Sequence, residues 1–186
     1  GELAARADAV CFGSLAQRSP ASRATIGAFL DATRPDCLRV LDLNLRQSYF
    51  DRDLVLSLLG RATVLKLNGE ELVTVSRMLA LPGSESQALA GLLEAYPLSL
   101  IALTKGPSGS RLFGPGVDII HPGQPVETAD TVGAGDAFTA ALVTGMLRHK
   151  SWPEIGERAN RIAGYVCSRK GAWPELPAEL ASWTQP

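Results

Sequence analysis

Residues 130–138 read Asp-Thr-Val-Gly-Ala-Gly-Asp-Ala-Phe, and an apolar run with helical spacing follows them. A helix that begins in this stretch presents N–H groups that have no partner inside the helix, and its dipole adds partial positive charge at the same end. Glycine lets an anion approach the backbone closely. The stretch therefore predicts a helix over 135–148 and an anion site formed by Gly133, Ala134 and Gly135.

Asp136 is the second chemical feature of this stretch. A carboxylate is a poor phosphate ligand, but beside a bound anion it can accept a proton from an attacking hydroxyl. A phosphoryl transfer needs this combination, because its spreading negative charge must be stabilised while the nucleophile is aligned. A structural interpretation stays open on local chemistry alone, since Asp136 can also complement the helix dipole.

Upstream of this stretch, short apolar runs alternate with segments of helical spacing. The predicted strands are 9–12, 39–43, 63–67 and 100–104. The predicted helices between them are 21–32, 52–59, 69–80 and 84–95. This alternation is typical of an α/β fold with a mainly parallel sheet covered on both faces. Downstream, 110–113 and 117–120 predict a hairpin at a sheet edge, and 153–170 predicts a final long helix.

Composition narrows the class of partner. The 186 residues are 46% hydrophobic and carry a net charge of −1, so no basic surface for nucleic acid is expected. Three cysteines and two histidines, far apart, suggest neither a disulfide framework nor a zinc site. No apolar stretch approaches the roughly 20 residues of a membrane span, and no secretory signal is visible. We therefore expect a soluble, cytoplasmic protein.

The chain begins abruptly, because residues 1–8 read as the tail of a helix that leads straight into a buried strand. This start predicts that an N-terminal portion precedes the chain. The sheet would otherwise end at an exposed edge, which native proteins normally protect.

Three further motifs follow predicted strands. Asn68-Gly69-Glu70-Glu71 has the spacing of a capping box, in which Asn68 and Glu71 hydrogen-bond each other's backbone. The run from Thr104 to Gly109 is rich in turn residues and lacks the P-loop pattern. The Asp42-Leu43-Asn44-Leu45-Arg46 run places polar side chains at a strand end, where ligands of α/β sheets bind, although Asp42 and Arg46 can also pair locally.

The run Asp-Thr-x-Gly-Ala-Gly-Asp-x-Phe resembles the C-terminal signature of the ribokinase-like (PfkB) carbohydrate kinases. The Asn-x-x-Glu motif at 68–71 and the Thr-x-Gly-x-x-Gly loop at 104–109 resemble the same family, and Asp-x-Asn-x-Arg at 42–46 resembles its fructokinase-like members. The resemblance implies a three-layer ribokinase-like (Rossmann-like) α/β sandwich. Residues 1–186 would be its C-terminal, nucleotide-binding and catalytic portion, without the N-terminal strands and lid.

The resemblance also implies a role for each motif. Asp136 would be the catalytic base, and Gly133, Ala134 and Gly135 would form the anion hole. The implied nucleotide-binding residues are Asn68, Glu71, Thr104, Gly106, Gly109 and Asn160. The implied substrate-binding residues are Asp42, Asn44, Arg46 and Asp136. Glu71 would reach Mg²⁺ through water, and Asp130, Thr131 and the Gly171 carbonyl are conditional candidates for a monovalent cation such as K⁺.

The implied activity is ATP-dependent phosphorylation of a sugar hydroxyl, with fructose favoured over ribose, ketodeoxygluconate or a nucleoside. The partners would be a small-molecule sugar and a second copy bound through the lid region. One alternative is a truncated kinase-like domain that binds nucleotide or a protein without transferring phosphate. A dinucleotide-binding oxidoreductase is disfavoured, because the third glycine of its fingerprint is absent and the glycine-rich loop lies late in the chain.

Overall fold

The computed structural model describes residues 1–47, 49–81 and 83–181. Its strands are β1 (Ala9–Gly13), β2 (Leu38–Asp42), β3 (Val64–Asn68), β4 (Leu100–Thr104), β5 (Ser110–Gly114) and β6 (Val117–His121). Its α-helices are α1 (Glu2–Arg6), α2 (Pro20–Asp31), α3 (Arg52–Leu59), α4 (Gly69–Leu79), α5 (Glu85–Ala95), α6 (Ala134–Leu147), α7 (Trp152–Cys167) and α8 (Ala178–Ala181). Short 3-10 turns lie at Leu15–Arg18 and Gly106–Ser108.

The strands form one sheet in the order β1-β2-β3-β4-β5-β6. β1 pairs with β2 in parallel, and β2 pairs with β3 in parallel, so that Asp42 lies opposite both Gly13 and Lys66. The predicted α/β fold with a mainly parallel sheet is confirmed. Every predicted strand lies within one residue of an observed one at each end. The apolar runs of β3 and β4 are almost completely buried, whereas β6 alternates between half-buried and exposed residues.

The final long helix is shorter than predicted, since α7 ends at Cys167 and not at Lys170. In a continuing helix, the N–H of Gly171 would donate to the carbonyl of Cys167. That carbonyl instead accepts the N–H groups of Ala129 (2.8 Å) and Asp130 (3.1 Å). Gly171 N–H donates to the Asp130 carboxylate at 3.1 Å. A contact distant in sequence thus ends the helix.

The chain divides into two compact units, of which the first comprises residues 1–103 and 113–116. Its core is built from the central strands and the helices between them, and Leu41, Leu65 and Leu103 are fully buried there. Helix α4 begins with a side-chain cap from Asn68. Its buried stripe includes Val75, while Val73 on the same helix is 49% exposed.

The second unit comprises residues 104–112 and the chain from residue 117 onward. In it, α7 packs against the hairpin strands: a Cβ added to Gly156 would lie 3.7 Å from a methyl group of Leu112 and 3.9 Å from one of Ile119. Arg111 and Asp118 form a two-pronged ion pair between β5 and β6, with N–O distances of 2.7 and 2.8 Å. The guanidinium of Arg111 lowers the pKa of Asp118.

Within the described residues, none of the helices has both the length and the apolar character that crossing a membrane requires.

Two valines of α4 test the assignment of its buried face. Replacing the fully buried Val75 with alanine removes two methyl groups from the core. We expect Val75→Ala to lower the free energy of unfolding by about 2 kcal/mol. Val73→Ala is the matched control, since it makes the same change on the exposed face and should stay within about 0.5 kcal/mol. Urea unfolding curves measure both, and equal losses would contradict the packing described.

Candidate functional site

A pocket of about 340 Å³ lies within the second unit. Seven residues singled out in the sequence line it: Thr104, Gly106, Gly109, Thr131, Ala134, Gly135 and Asn160. These residues come from the end of β4 and the loop after it, the loop before α6, the first turn of α6 and the middle of α7. The structure thus brings together motifs that are up to 56 positions apart in the sequence.

Glycines allow two loops to cross at one wall of the pocket. Gly109 has φ +85° and Gly123 has φ +89°, which is backbone that favours glycine. A Cβ on Gly109 would collide with the carbonyl oxygen of His121, and a Cβ on Gly123 would collide with that of Pro107. The loop that carries the Thr-x-Gly-x-x-Gly motif is therefore held against the segment that follows β6.

One face of α7 forms another wall of the pocket. Asn160, Ala163, Gly164 and Cys167 line it, at the spacing of three and four residues that places side chains on one helical face. Gly164 lets the segment after β6 pack closely against the helix. A Cβ on Gly164 would already lie 3.4 Å from side-chain atoms of Gln124 and Val126.

Asn160 contributes a polar group to this face although only 8% of it is exposed. Its side-chain nitrogen donates to the carbonyl of Gly156 and to the hydroxyl of Ser110, both at 2.7 Å. A carbonyl can only accept, so this contact fixes the orientation of the amide. The Asn160 side-chain oxygen accepts no hydrogen bond from the described residues, and it is not among the fully buried unpaired atoms, so solvent reaches it. It is available as an acceptor in the pocket.

The first turn of α6 has the backbone that an anion site requires. Gly133 precedes the helix with φ +82°, and its carbonyl accepts Ala137 N–H at 2.8 Å. Within the described residues, the N–H groups of Gly135 and Asp136 have no acceptor. Gly135 lines the pocket, and the next residue, Asp136, is exposed. The carboxylate is therefore open to solvent and not sealed in packed protein.

Asp130 joins the loop before α6 to the loop after α7. Its two carboxylate oxygens accept Val132 N–H at 3.0 Å and Gly171 N–H at 3.1 Å. Both bonds lower the pKa of Asp130, and the bond from Val132 N–H contributes most. Gly133 packs directly on the second loop, because a Cβ there would lie 2.8 Å from the Cα of Ala172. Hydrogen bonds thus connect the loop that carries Asp130 and Thr131 to the loop that carries Gly171. These three residues are the predicted cation candidates.

The remaining predicted site residues lie in the first unit. Asn44, Arg46, Asn68 and Glu71 line a second pocket, of about 320 Å³. Asp42 is not among its lining residues.

Asp42 forms an ion pair with Lys66, whose amino group lies 3.0 and 3.1 Å from the two carboxylate oxygens. Lys66 is only 7% exposed. The local pairing of Asp42 with Arg46, one of the two interpretations of the sequence, is replaced here by a pairing across neighbouring strands. The sequence offered one signal for this pairing, namely a charged residue inside the apolar run 63–67.

Glu71 is 6% exposed, and both of its carboxylate oxygens accept main-chain N–H groups. One accepts Asn68 N–H at 2.8 Å, while Asn68 accepts Glu71 N–H at 2.9 Å, which completes the capping box. The other accepts Leu45 N–H at 2.9 Å. The same loop is held by the Ser14 hydroxyl, which donates to the carbonyl of Asn44 at 3.2 Å. Glu71 therefore fixes the loop that carries Arg46.

Sequence reasoning missed the apolar and small residues that shape the first pocket. Those lining residues include Pro125, Val126, Phe138, Ala163, Gly164 and Cys167. Spacing from Asn160 along α7 was a usable signal for the last three. The segment 124–126 has no periodicity, so the sequence offered no signal for its role in the pocket.

Comparison with known proteins places this geometry in a family. The family model described as pfkB family carbohydrate kinase matches residues 3–179. The fructokinase of Klebsiella pneumoniae is 32% identical over 178 residues, which cover 88% of this chain and 56% of that protein. A fructokinase of Vibrio alginolyticus is 29% identical and is matched over 91% of this chain and 57% of its own length.

Solved structures of sugar kinases are also similar to this chain. An uncharacterized sugar kinase of Pyrococcus horikoshii, in complex with ATP, is 27% identical with a TM-score of 0.76, over 92% of this chain and 55% of that one. Fructokinase from Vibrio cholerae O395, in its fructose, ADP and calcium ion bound form, is 25% identical with a TM-score of 0.78, over 96% and 61%.

The chain spans a little over half the length of the curated relatives it matches. The family model nevertheless extends over almost all of its residues. The chain therefore belongs to the pfkB family of carbohydrate kinases.

Proposed function

We propose that residues 1–186 supply the nucleotide-binding and catalytic portion of a kinase that transfers the γ-phosphate of ATP to a hydroxyl group of a sugar. The observation that carries this proposal is the 340 Å³ pocket, at which the two crossing glycine loops, the start of α6 and Asn160 meet beside the exposed Asp136. Family membership supports the same activity.

The pocket has the properties that a nucleotide requires. Its volume falls in the range of about 300–1,000 Å³ that is usual for small-molecule sites. Its walls at Val126, Phe138 and Ala163 are apolar, which suits a base and ribose. The Asn160 oxygen offers an acceptor at the wall of the pocket, and the N–H of Gly135, which has no acceptor among the described residues, offers a donor for phosphate oxygens. We assign Thr104, Gly106 and Gly109 to the phosphate end of the same ligand.

In the proposed reaction, Asp136 accepts the proton of the attacking sugar hydroxyl. The backbone donors at Gly133, Ala134 and Gly135 stabilise the negative charge that develops on the transferred group, and Ala134 N–H must first leave its 3.4 Å bond to the Thr131 carbonyl. Mg²⁺ bound with the nucleotide would neutralise part of the phosphate charge. Because main-chain N–H groups already occupy both oxygens of Glu71, a contact of this residue with Mg²⁺ through water fits better than direct coordination.

The remaining proposals assign roles to residues at the end of β2 and in the loops after β2, before α6 and after α7. Asp130, Thr131 and the Gly171 carbonyl are proposed for a monovalent cation such as K⁺, since they lie in one backbone structure beside the anion site. Asn44 and Arg46 are proposed to contact the substrate, and Asp42 to support them through its bond to Lys66. Fructose is the favoured sugar, because two relatives with similar sequences are named fructokinases.

A non-catalytic domain that binds nucleotide or a protein partner is the second candidate. Titration with ATP-Mg²⁺ followed by transfer assays on a panel of fructose, ribose and ketodeoxygluconate separates the two. Nucleotide binding with transfer to a sugar supports the kinase. Binding without transfer to any of them supports the second candidate.

Asp136→Asn tests the catalytic base. Loss of a general base should lower kcat by about 10²- to 10⁴-fold, while the Kd for ATP changes little, because the amide keeps the size of the side chain but cannot accept the proton. Steady-state kinetics and isothermal titration of the full-length protein measure the two quantities. The matched control is Glu157→Gln, which alters an exposed carboxylate on α7 outside the pocket. Near-normal turnover in the Asp136 variant would overturn the assignment.

Gly133→Ala and Gly171→Ala test the support of the anion site. Both glycines have positive φ, so each alanine should cost about 1–2 kcal/mol of backbone strain. Only the Gly133 variant also drives a Cβ into the backbone of Ala172, whereas the Cβ at Gly171 meets nothing within 4 Å. We therefore expect the free energy of unfolding to fall further for Gly133→Ala. Equal losses in urea unfolding would show that the contact between the two loops does not form.

A further inference from the structure

Thr139 is a buried hydroxyl residue on α6 that the proposed reaction does not use directly. Only 5% of it is exposed, and the nearby helix residues Phe138, Ala141 and Leu142 are buried and apolar. Burying a hydroxyl costs free energy unless the group makes a hydrogen bond. Thr139 is not among the residues that line the 340 Å³ pocket. Any effect on the reaction must therefore pass through another residue.

The hydroxyl of Thr139 is bonded to the first turn of the helix. It donates to the carbonyl oxygen of Gly135, four residues earlier, at 3.0 Å. Gly135 lines the pocket, and its carbonyl belongs to the same peptide group as the N–H of Asp136. Thr139 is thus one hydrogen bond away from the peptide group that precedes the proposed base.

The other end of this peptide group is the N–H of Asp136. Carbonyls of an α-helix point toward its C-terminus and N–H groups toward its N-terminus, so this N–H points out of the start of α6. It has no acceptor among the described residues, and neither does the N–H of Gly135. By contrast, the N–H of Ala134 lies 3.4 Å from the carbonyl of Thr131. The Asp136 N–H is therefore ready to donate to an anion.

A hydrogen bond at one end of a peptide group strengthens the other end. When the carbonyl accepts a bond, electron density moves toward its oxygen and the N–H becomes a better donor, by about 10–30% per bond. The Gly135 carbonyl has two lone pairs, so it can accept the helical N–H and the hydroxyl of Thr139 together. The hydroxyl thus adds a second polarising bond and restrains the orientation of the peptide group.

We propose that Thr139 is a positioning residue for phosphoryl transfer, whose hydroxyl orients and polarises the peptide group between Gly135 and Asp136. The N–H of Asp136 then stabilises the negative charge that develops beside the proposed base. This inference rests on the proposed function, because it takes the anion to be the transferred phosphoryl group. The charge grows in the transition state, so the bond should affect kcat more than the binding of ATP.

Two substitutions of Thr139 in the full-length protein test the role of the hydroxyl. Thr139→Val removes the hydroxyl at nearly constant volume and should lower kcat about three- to tenfold, because a weakened donor costs less than the roughly 10²- to 10³-fold loss of a whole donor. The KM for ATP should change less than about twofold. Thr139→Ser keeps the hydroxyl and should recover kcat to within about twofold of the unmutated protein.

The order of these two variants separates polarisation from packing. If Thr139 only fills space in the core, the serine variant should be the slower one, because it removes a methyl group and leaves a cavity. The matched control is Thr144→Val, which removes the same kind of bond, from the Thr144 hydroxyl to the Ala140 carbonyl at 2.7 Å, farther along α6. This control should keep kcat within about twofold of normal.

The activity of the unmutated full-length protein on the sugar panel separates two kinds of failure. If it phosphorylates a sugar and Thr139→Val keeps normal turnover, this inference fails alone. The same holds if Thr139→Ser is slower than Thr139→Val, or if Thr144→Val lowers kcat as much as Thr139→Val does. If the unmutated protein transfers phosphate to no sugar, the proposed function fails and this inference fails with it.

Discussion

The exchange of hydrogen-bond partners at the end of α7 is the constraint on which the described site depends. The carbonyl of Cys167 is taken by Ala129 and Asp130, and the N–H that would have continued the helix, that of Gly171, is taken by the Asp130 carboxylate. These bonds hold the loop before α6 against the loop after α7. Gly133 is then pressed onto Ala172, and the first turn of α6 opens toward the pocket.

The sequence allowed most of the fold to be predicted, because its apolar runs and helical stripes are local signals. It failed at the end of α7, where the sequence beyond Cys167 carries no breaker until Gly171. The stop is imposed by residues some 40 positions upstream, and no local pattern encodes such a contact. The capping box of Asn68 and Glu71 was readable from spacing, but the second bond of Glu71, to Leu45, was not.

The difference between local sequence signals and contacts distant in sequence also applies to the candidate site. Glycine-rich motifs were visible because their spacing is unusual, and six of the residues singled out in them line one pocket. The walls between them come from ordinary apolar and small residues, whose positions depend on how α7 and the segment after β6 pack. Asn160 belongs to both groups: its residue type was noticed in the sequence, but the contact with the Gly156 carbonyl that orients its amide required the structure.

The ion pair between Asp42 and Lys66 has a consequence for strand alignment. The two residues lie directly opposite each other in the parallel pairing of β2 with β3, and the lysine is almost completely buried. Sliding one strand by a single position would turn a charged side chain toward the wrong face and leave its partner uncompensated in a nonpolar interior. Apolar strands rich in leucine and valine would otherwise tolerate several alignments. The pair thus favours the observed register of β2 against β3.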